Sequence, residues 1–210
     1  MPCAPRHSHP PRLIGLTGGI GSGKSTVAQL LLQHTKAAII DADQLSRALT
    51  AAGGAAIPLI AQAFGSSFIT PEGALHREHM RAYVFHSPAE KKRLEGILHP
   101  MIFSTIEQAI KNASDQGHSH VVLDIPLLVE SGHWRARLGQ VVIIDCPVEL
   151  QIRRVQQRSQ LEQAEIERII QSQASRQDRL ASADVVIYNG DICLSALQTR
   201  TQAAAAFLGL

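Results

Sequence analysis

The sequence predicts an α/β fold built on a doubly wound parallel sheet, and three observations favour it. Five short, nearly continuous apolar runs are spread along the chain with helical segments between them. Such runs are typical of strands in a parallel sheet covered on both faces. The 210 residues, 45% of them hydrophobic, suffice for one domain with insertions. A glycine-rich turn also joins the first run to the first helix. The predicted strands are 12–16, 37–41, 121–124, 141–145 and 185–188.

The first predicted strand leads into the P-loop pattern, in which Gly18 is followed by four residues and then by Gly23-Lys24-Ser25. Glycines let the backbone wrap phosphates closely because they carry no Cβ. The loop amides and the N-terminus of the following helix, predicted over 26–32, attract negative charge. Lys24 adds a mobile charge for the β- and γ-phosphates, and Ser25 adds a hydroxyl for Mg²⁺. We therefore expect a P-loop NTPase-type site for a nucleoside triphosphate.

Three of the predicted strands end at an aspartate, namely Asp41, Asp124 and Asp145. In such sheets ligands bind beyond the carboxyl ends of the strands, so these acids are expected at the P-loop edge. Asp124 resembles a Walker B carboxylate, which holds Mg²⁺ directly or through water.

Asp43 is the candidate general base, because a kinase needs a carboxylate that orients the acceptor hydroxyl and takes its proton. If the second strand continued past its end, Asp41 and Asp43 would share one side of it. The alternative is a turn-forming or helix-capping Asp43, because residues 44–47 look helical.

A long stretch between the second and third strands, about 45–112, contains no clear strand and is predicted to be a helical insertion. A capping box that begins at Ser87 predicts a helix start. We expect His99-Pro100 to close the helix over 91–98, because a residue before proline avoids helical dihedrals.

A second stretch, about 151–181, is predicted to be an arginine-bearing helical hairpin, with Ser159 opening a capping box for its second helix. In a phosphoryl-transfer enzyme such a hairpin would be a lid that closes over ATP and excludes water. The alternative is an ordinary amphipathic crossover with a solvated charged face. The predicted domain plan is a disordered leader over 1–11 and one domain over 12–210. Its core comprises 12–44, 113–150 and 182–210.

Composition excludes several other classes of protein. The net charge is only +2, with five Phe, two Tyr and one Trp, so a nucleic-acid partner is not expected. No apolar run approaches membrane-spanning length, so no membrane partner is expected either. The three cysteines lie far apart without a CxxC pair, which indicates neither a zinc site nor a disulfide framework and fits a cytoplasmic protein.

The ordered motifs resemble those of the dephospho-CoA kinase family, over residues 13 to about 190. The P-loop is shared by many kinases, whereas Pro-Leu-Leu-x-Glu after a strand is far more specific. The matching elements are Leu-Thr-Gly-Gly-Ile-Gly-Ser-Gly-Lys-Ser-Thr at 16–26, Ile-Asp-Ala-Asp at 40–43 with Arg47, Leu-His-Pro at 98–100, Asp-Ile-Pro-Leu-Leu-Val-Glu at 124–130, Arg154 with Arg158, Gln-Ala-Ser-Arg at 173–176, and Asn189-Gly190.

This resemblance implies an enzyme that uses ATP and Mg²⁺ to phosphorylate the 3′-hydroxyl of the adenosine ribose of dephospho-CoA. It implies that Asp43 is the base, that Lys24 and Arg154 also act in catalysis, and that Ser25 binds the metal. The expected acceptor-binding residues are Thr17, Asp43, Arg47, His99, Leu127 and Glu130. The expected ATP-binding residues are Gly19, Ile20, Gly21, Ser22, Gly23, Lys24, Ser25, Thr26, Arg154 and Asn189. A cytoplasmic monomer or weak homo-oligomer is expected.

Two alternative functions compete with this interpretation. Another small-molecule kinase, such as a nucleoside monophosphate kinase, needs a different acceptor site, and the 124–130 motif argues against it. A regulatory GTPase would carry Asp-x-x-Gly and Asn-Lys-x-Asp motifs, and neither occurs in the chain.

Overall fold

The computed structural model describes residues 10–132, 134–159 and 161–210, and its centre is a five-stranded sheet. The strands are β1 (Arg12–Gly18), β2 (Ala38–Asp41), β3 (His120–Asp124), β4 (Gln140–Asp145) and β5 (Val185–Tyr188). Their order is β2-β3-β1-β4-β5, and β1 pairs in parallel with both β3 and β4. All five predicted strands are therefore confirmed, and the P-loop strand β1 lies at the centre. Residues 1–9 of the predicted leader lie outside the described residues.

The helices occupy the intervals between the strands, as the alternating pattern predicts. They are α1 (Lys24–His34), α2 (Ala42–Leu49), α3 (Ile57–Phe64), α4 (Arg77–Phe85), α5 (Pro88–Asp115), α6 (Leu128–Ser131), α7 (Val148–Ser159), α8 (Gln163–Ser172), α9 (Arg176–Ala181) and α10 (Leu194–Leu208).

The main core forms where α1 and α10 pack beside the sheet. The apolar side chains of β1 pack with those of the neighbouring strands β3 and β4. Ile14 and Leu16 are almost fully buried. Burial of each such side chain contributes about 1.5–3 kcal/mol relative to exposure. Close packing also explains Gly15, since a Cβ there would lie 2.5 Å from a methyl carbon of Leu128.

The chain divides into two compact units. One comprises Asn112–Leu210 with the N-terminal part of the chain up to Ile40, and it holds the sheet. The other is Asp41–Lys111, which overlaps the predicted insertion and has an apolar cluster of its own around Ile60, Phe68 and Met80. Within this second unit the strand-like pairing among described residues is one isolated bridge between Ile69 and Leu75.

Two local predictions about helix ends are wrong. The helix over 91–98 does not close at His99-Pro100, because α5 continues through Pro100 to Asp115. Proline removes one backbone hydrogen bond, but apolar side chains on both sides of it, including Leu98 and Met101, pack against the cluster of the second unit. That packing stabilises the helical path despite the missing bond.

The capping box at Ser159 is also wrong. Ser159 is the last residue of α7, and Glu162 takes the N-cap position of α8 without a side-chain cap bond. The box at Ser87 behaves as predicted at its first position, because the Ser87 hydroxyl accepts from the Glu90 N–H at 3.4 Å.

Candidate nucleotide-binding site

The P-loop adopts a backbone that only glycines accommodate. Gly21 and Gly23 have φ angles of 72° and 89°, in the left-handed region that side chains disfavour. A Cβ on Gly21 would lie 2.7 Å from the Gln151 carbonyl oxygen, and one on Gly23 would overlap the Asn189 amide nitrogen. The loop then enters α1, whose first two residues are Lys24 and Ser25. The loop amides thus precede a helix N-terminus, the arrangement that favours phosphate binding.

One side of the loop is braced by side chains that follow β4 and β5. The Asn189 amide nitrogen donates to the Ser22 carbonyl at 2.7 Å, and Asn189 is only 6% exposed. Arg154 on α7 donates to the carbonyls of Asn189 and Gly190 at 3.1 and 3.0 Å, and more weakly to that of Gly21 at 3.5 Å. Both predicted ATP-binding residues therefore hold the shape of the loop.

Lys24 forms an ion pair with Asp124 at the end of β3, whose side chain is nearly buried. The lysine predicted for the phosphates and the carboxylate that resembles Walker B are thus in direct contact. Such a contact keeps the lysine charge at the carboxyl edge of the sheet, where the sequence predicts ligand binding.

The residues at this edge fit a magnesium ion. Ser25 is exposed in the first turn of α1, and Asp124 supplies a carboxylate. Hydroxyl and carboxylate oxygens suit Mg²⁺, which usually retains waters and takes phosphate oxygens beside one or two protein ligands. Across the described ranges no group of three or more His, Cys, Asp or Glu could hold a metal by itself.

The other side of the loop is contacted by residues 173–179, which connect α8 to α9 and form the start of α9. Gln173 accepts the Ile20 N–H through its Oε1 at 2.9 Å. Arg179, 6% exposed, places its Nη2 3.0 Å from the position that a Cβ on Gly19 would take. The Ala174 N–H donates to Glu130 Oε1 at 2.7 Å. This 173–179 segment therefore joins the P-loop to a predicted acceptor residue.

Arg179 of the 173–179 segment and Asp145, which the segment contacts, have displaced pKa values. Arg176 donates two hydrogen bonds to Asp145 at 2.8 and 2.7 Å, and these hold the pKa of Asp145 below its ordinary value. Burial lowers the pKa of Arg179, while the carboxylates of Glu130 and Asp145 oppose that shift. The guanidinium of Arg179 thus lies in a partly desolvated acidic surrounding.

Three predicted acceptor residues lie in the sheet-bearing unit. Thr17 on β1 is buried and donates from its hydroxyl to the Pro126 carbonyl at 2.9 Å. That bond ties the 124–130 motif to the strand that precedes the P-loop. Leu127 is 50% exposed beyond this tether, and Glu130 is exposed on α6.

The other three predicted acceptor residues lie in the second unit, all of them exposed. Asp43 and Arg47 are on α2, and His99 is on α5. The second strand does not continue to Asp43, because Ala42 already begins α2. The capping role belongs to Asp41, whose carboxylate accepts the Gln44 N–H at 2.9 Å. The capping alternative for Asp43 is therefore wrong.

Sequence reasoning assigned no role to Gln173, Ala174, Arg176 or Arg179. The Gln-Ala-Ser-Arg run at 173–176 is one of the family motifs, but the sequence does not indicate which residues it contacts. Nothing in the local pattern indicates that Gln173 accepts a hydrogen bond from Ile20. That contact depends on the tertiary arrangement of α8 and α9.

Comparison with known proteins gives one consistent family. The family model described as dephospho-CoA kinase matches residues 12–193. A dephospho-CoA kinase of Albidiferax ferrireducens is 48% identical over 197 residues, which are 94% of this chain and 92% of that protein.

Solved structures agree on the fold. A crystal structure from Thermus thermophilus has a TM-score of 0.82 at 29% identity and covers 96% of this chain and 99% of its own. A dephospho-CoA kinase from Campylobacter jejuni has a TM-score of 0.66 at 22% identity, covering 95% of this chain and 98% of its own, and supports the fold alone.

No helix in the described ranges is both long and apolar enough to cross a bilayer. The sheet order, the glycine-shaped loop, the Lys24–Asp124 pair and the family match agree. This chain belongs to the dephospho-CoA kinase family, the transferases that phosphorylate dephospho-CoA to coenzyme A in the last step of coenzyme A biosynthesis.

Proposed function

We propose that this chain transfers the γ-phosphoryl group of ATP to the 3′-hydroxyl of the adenosine ribose of dephospho-CoA. The observation that carries the proposal is the P-loop, with Gly21 and Gly23 at positive φ and Lys24 beside Asp124, in a chain whose residues 12–193 match the family model. ADP and coenzyme A are the products.

The donor half of the site is the loop 19–26. Its amides, apart from the Ile20 N–H that Gln173 accepts, bind phosphate oxygens. Lys24 exchanges Asp124 for the β- and γ-phosphates when ATP arrives. Ser25 and, beside it, Asp124 would hold Mg²⁺. The ion would supply charge neutralisation across the β- and γ-phosphate oxygens. These contacts act most strongly on charge that develops during transfer.

The acceptor half is assigned to the six predicted acceptor residues. Asp43 orients the 3′-hydroxyl and takes its proton as the bond to phosphorus forms. Arg47 binds an anionic part of the acceptor, because a guanidinium matches phosphate geometry. His99, Leu127 and Glu130 shape the pocket for the nucleoside part, and Thr17 holds the backbone next to Leu127.

Arg154 and Asn189 are proposed ATP ligands with a second role. The Asn189 side chain donates to the Ser22 carbonyl and that of Arg154 to the Asn189 carbonyl, so either contact with ATP requires an exchange of these bonds. The lid role of residues 151–181 is part of the same proposal. We also propose that the protein works in the cytoplasm as a monomer or weak homo-oligomer.

An acceptor comparison tests the proposed function. Purified protein is incubated with ATP, Mg²⁺ and one acceptor at a time: dephospho-CoA, AMP or shikimate. We expect ADP release with dephospho-CoA and background rates with the others. Phosphorylation of AMP without that of dephospho-CoA would establish a nucleoside monophosphate kinase and contradict the proposal.

A further inference from the structure

The 173–179 segment makes two hydrogen bonds from adjacent residues to two different parts of the site. Gln173 accepts from the Ile20 N–H of the P-loop at 2.9 Å. Ala174 donates its own N–H to Glu130 Oε1 at 2.7 Å. Because the two residues are consecutive, the Gln173 side chain and one peptide unit link the P-loop to Glu130.

Arg179 reinforces this junction from one turn further along α9. Its Nη1 donates to the Ala174 carbonyl at 2.5 Å, so both polar groups of Ala174 have partners. Its Nη2 lies so close to Gly19 that a Cβ there would come within 3.0 Å. Arg179 is 6% exposed, and among the described residues its side chain donates to the Ala174 carbonyl, so the guanidinium is directed at this junction. A buried guanidinium that bonds a backbone carbonyl and lies against a glycine indicates a positioning role.

Two further contacts fix the segment itself. Arg176 makes two hydrogen bonds to Asp145 at the end of β4, at 2.8 and 2.7 Å. The Ser175 hydroxyl caps α9 by accepting from the Asp178 N–H at 3.1 Å. The segment is therefore anchored to the sheet edge independently of Gln173 and Arg179.

We propose that the 173–179 segment is a positioning bridge that sets Glu130 against the P-loop, with Gln173 and Arg179 as its positioning residues. The proposal rests on the proposed function, which assigns Glu130 to the acceptor pocket. Transfer requires the acceptor oxygen and the γ-phosphorus to meet in a narrow range of geometry, and a displacement of about 1 Å can lower the rate about 100-fold. The bridge limits such displacement by bonding both sides to neighbouring residues.

The first test is the Gln173→Ala variant. We expect kcat to fall about 10- to 100-fold. The KM values for ATP and dephospho-CoA should each change by less than about threefold, because the groups that bind the ground states remain. A rise in either KM with unchanged kcat would overturn the positioning role. Gln171→Ala is the matched control, since Gln171 is exposed near the end of α8, two residues before Gln173.

The decisive test is a double-mutant cycle with Glu130→Ala. If Gln173 acts through Glu130, the change Gln173→Ala should lower kcat by no more than about twofold once Glu130 is absent. Equal factors in both backgrounds would mean that the two residues act independently, and that result would overturn the bridge. Unchanged turnover in the Glu130→Ala single variant would also overturn it.

Arg179 provides a second route to the same answer. Arg179→Lys keeps a cation that can donate to the Ala174 carbonyl, so it should retain more of kcat than Arg179→Met. Equal losses in the two variants would contradict its positioning role. Thermal midpoints are measured for every variant, and if Arg179→Met does not fold, the Gln173–Glu130 cycle decides.

The outcomes separate the bridge from the proposed function. Wild-type protein that fails to phosphorylate dephospho-CoA contradicts the proposed function itself. Wild-type protein that turns over normally, combined with an additive cycle, contradicts the bridge alone.

Discussion

The two sides of the P-loop are held by different kinds of contact. On one side, Asn189 and Arg154 donate to backbone carbonyls of the loop and of residues 189–190. On the other side, Gln173 accepts from the loop, and the next residue donates to Glu130. The first side keeps the loop in the shape that phosphates need. The second side relates that loop to the place where the acceptor is proposed to bind.

The difference follows from the elements that supply each side. Asn189 comes directly after β5, and Arg154 lies on the helix that follows β4, so the central sheet fixes both. Gln173 and Arg179 lie in the 173–179 segment, which connects α8 to α9 and forms the start of α9. Arg176 anchors this segment to Asp145. We therefore expect changes of Asn189 and Arg154 to affect the stability of the protein as well as turnover, and changes of Gln173 and Arg179 to affect chiefly turnover.

The largest effect should come from Lys24→Ala, which removes the positive charge that the end of the loop presents to the phosphates. We expect kcat to fall by about 100-fold or more, because one preorganised stabilising group is lost. Steady-state kinetics with dephospho-CoA measures the loss. Lys36→Ala, an exposed lysine beyond α1, is the control and should leave kcat unchanged. A comparable loss in both variants would show a nonspecific charge effect.

An effect of similar size should come from Asp43→Asn in the second unit. Loss of a general base typically lowers kcat about 10²- to 10⁴-fold. The dissociation constant of ATP, measured by calorimetry, should stay within about threefold. If turnover and ATP binding decrease equally, Asp43 is not the base. Glu72→Gln serves as the control, since Glu72 is an exposed acid of the same unit.

Arg154→Ala tests the braced side of the loop. We expect the free energy of unfolding to fall by about 1–3 kcal/mol, since partly buried carbonyls lose their donor. Turnover should decrease more than ATP affinity if the lid arginine also contacts the phosphates during transfer. Urea unfolding and kinetics measure the two effects. Arg153→Ala removes a neighbouring exposed arginine and should change neither quantity. Unchanged turnover in Arg154→Ala would remove the lid role.

The smallest effect concerns the anchor Arg176–Asp145. Arg176 holds the pKa of Asp145 below its ordinary value, so the pair stabilises the fold above the unfolded-state pKa of Asp145. That stabilisation is lost as the pH falls through the lowered folded-state pKa. Because Arg176 is about half exposed, we expect Arg176→Ala to lower the free energy of unfolding by about 1 kcal/mol or less at neutral pH.

Urea unfolding at neutral and acidic pH checks this expectation. The difference between wild type and Arg176→Ala should shrink as the pH is lowered. A difference that stays constant across the range would show that the ion pair contributes nothing through the Asp145 carboxylate.

The sequence was informative wherever a local pattern determines structure. Apolar runs predicted all five strands, and the P-loop pattern predicted the glycine-rich turn before α1. It failed where packing overrides local preference. Pro100 stays helical because half-buried apolar side chains on both sides of it pack against the cluster of the second unit. Ser159 ends a helix although it resembles a cap.

The candidate site divides in the same way. Lys24, Ser25 and Asp124 follow from the motif and from the ends of parallel strands. Gln173 and Arg179 could not be predicted, because their partners are backbone groups of distant residues and carry no sequence signature. Likewise, no pattern indicates that Arg154 donates to the carbonyls of Asn189 and Gly190.

The position of the transferred phosphate is the most direct test of phosphoryl transfer to the 3′-hydroxyl of dephospho-CoA. The protein is incubated with γ-³²P-labelled ATP, Mg²⁺ and dephospho-CoA, and the labelled product is digested with a 3′-nucleotidase. We expect the label to enter the coenzyme product and to be released completely as a 3′-phosphate. Label that resists this digestion, or that never leaves ATP while the wild-type protein remains folded, would contradict it.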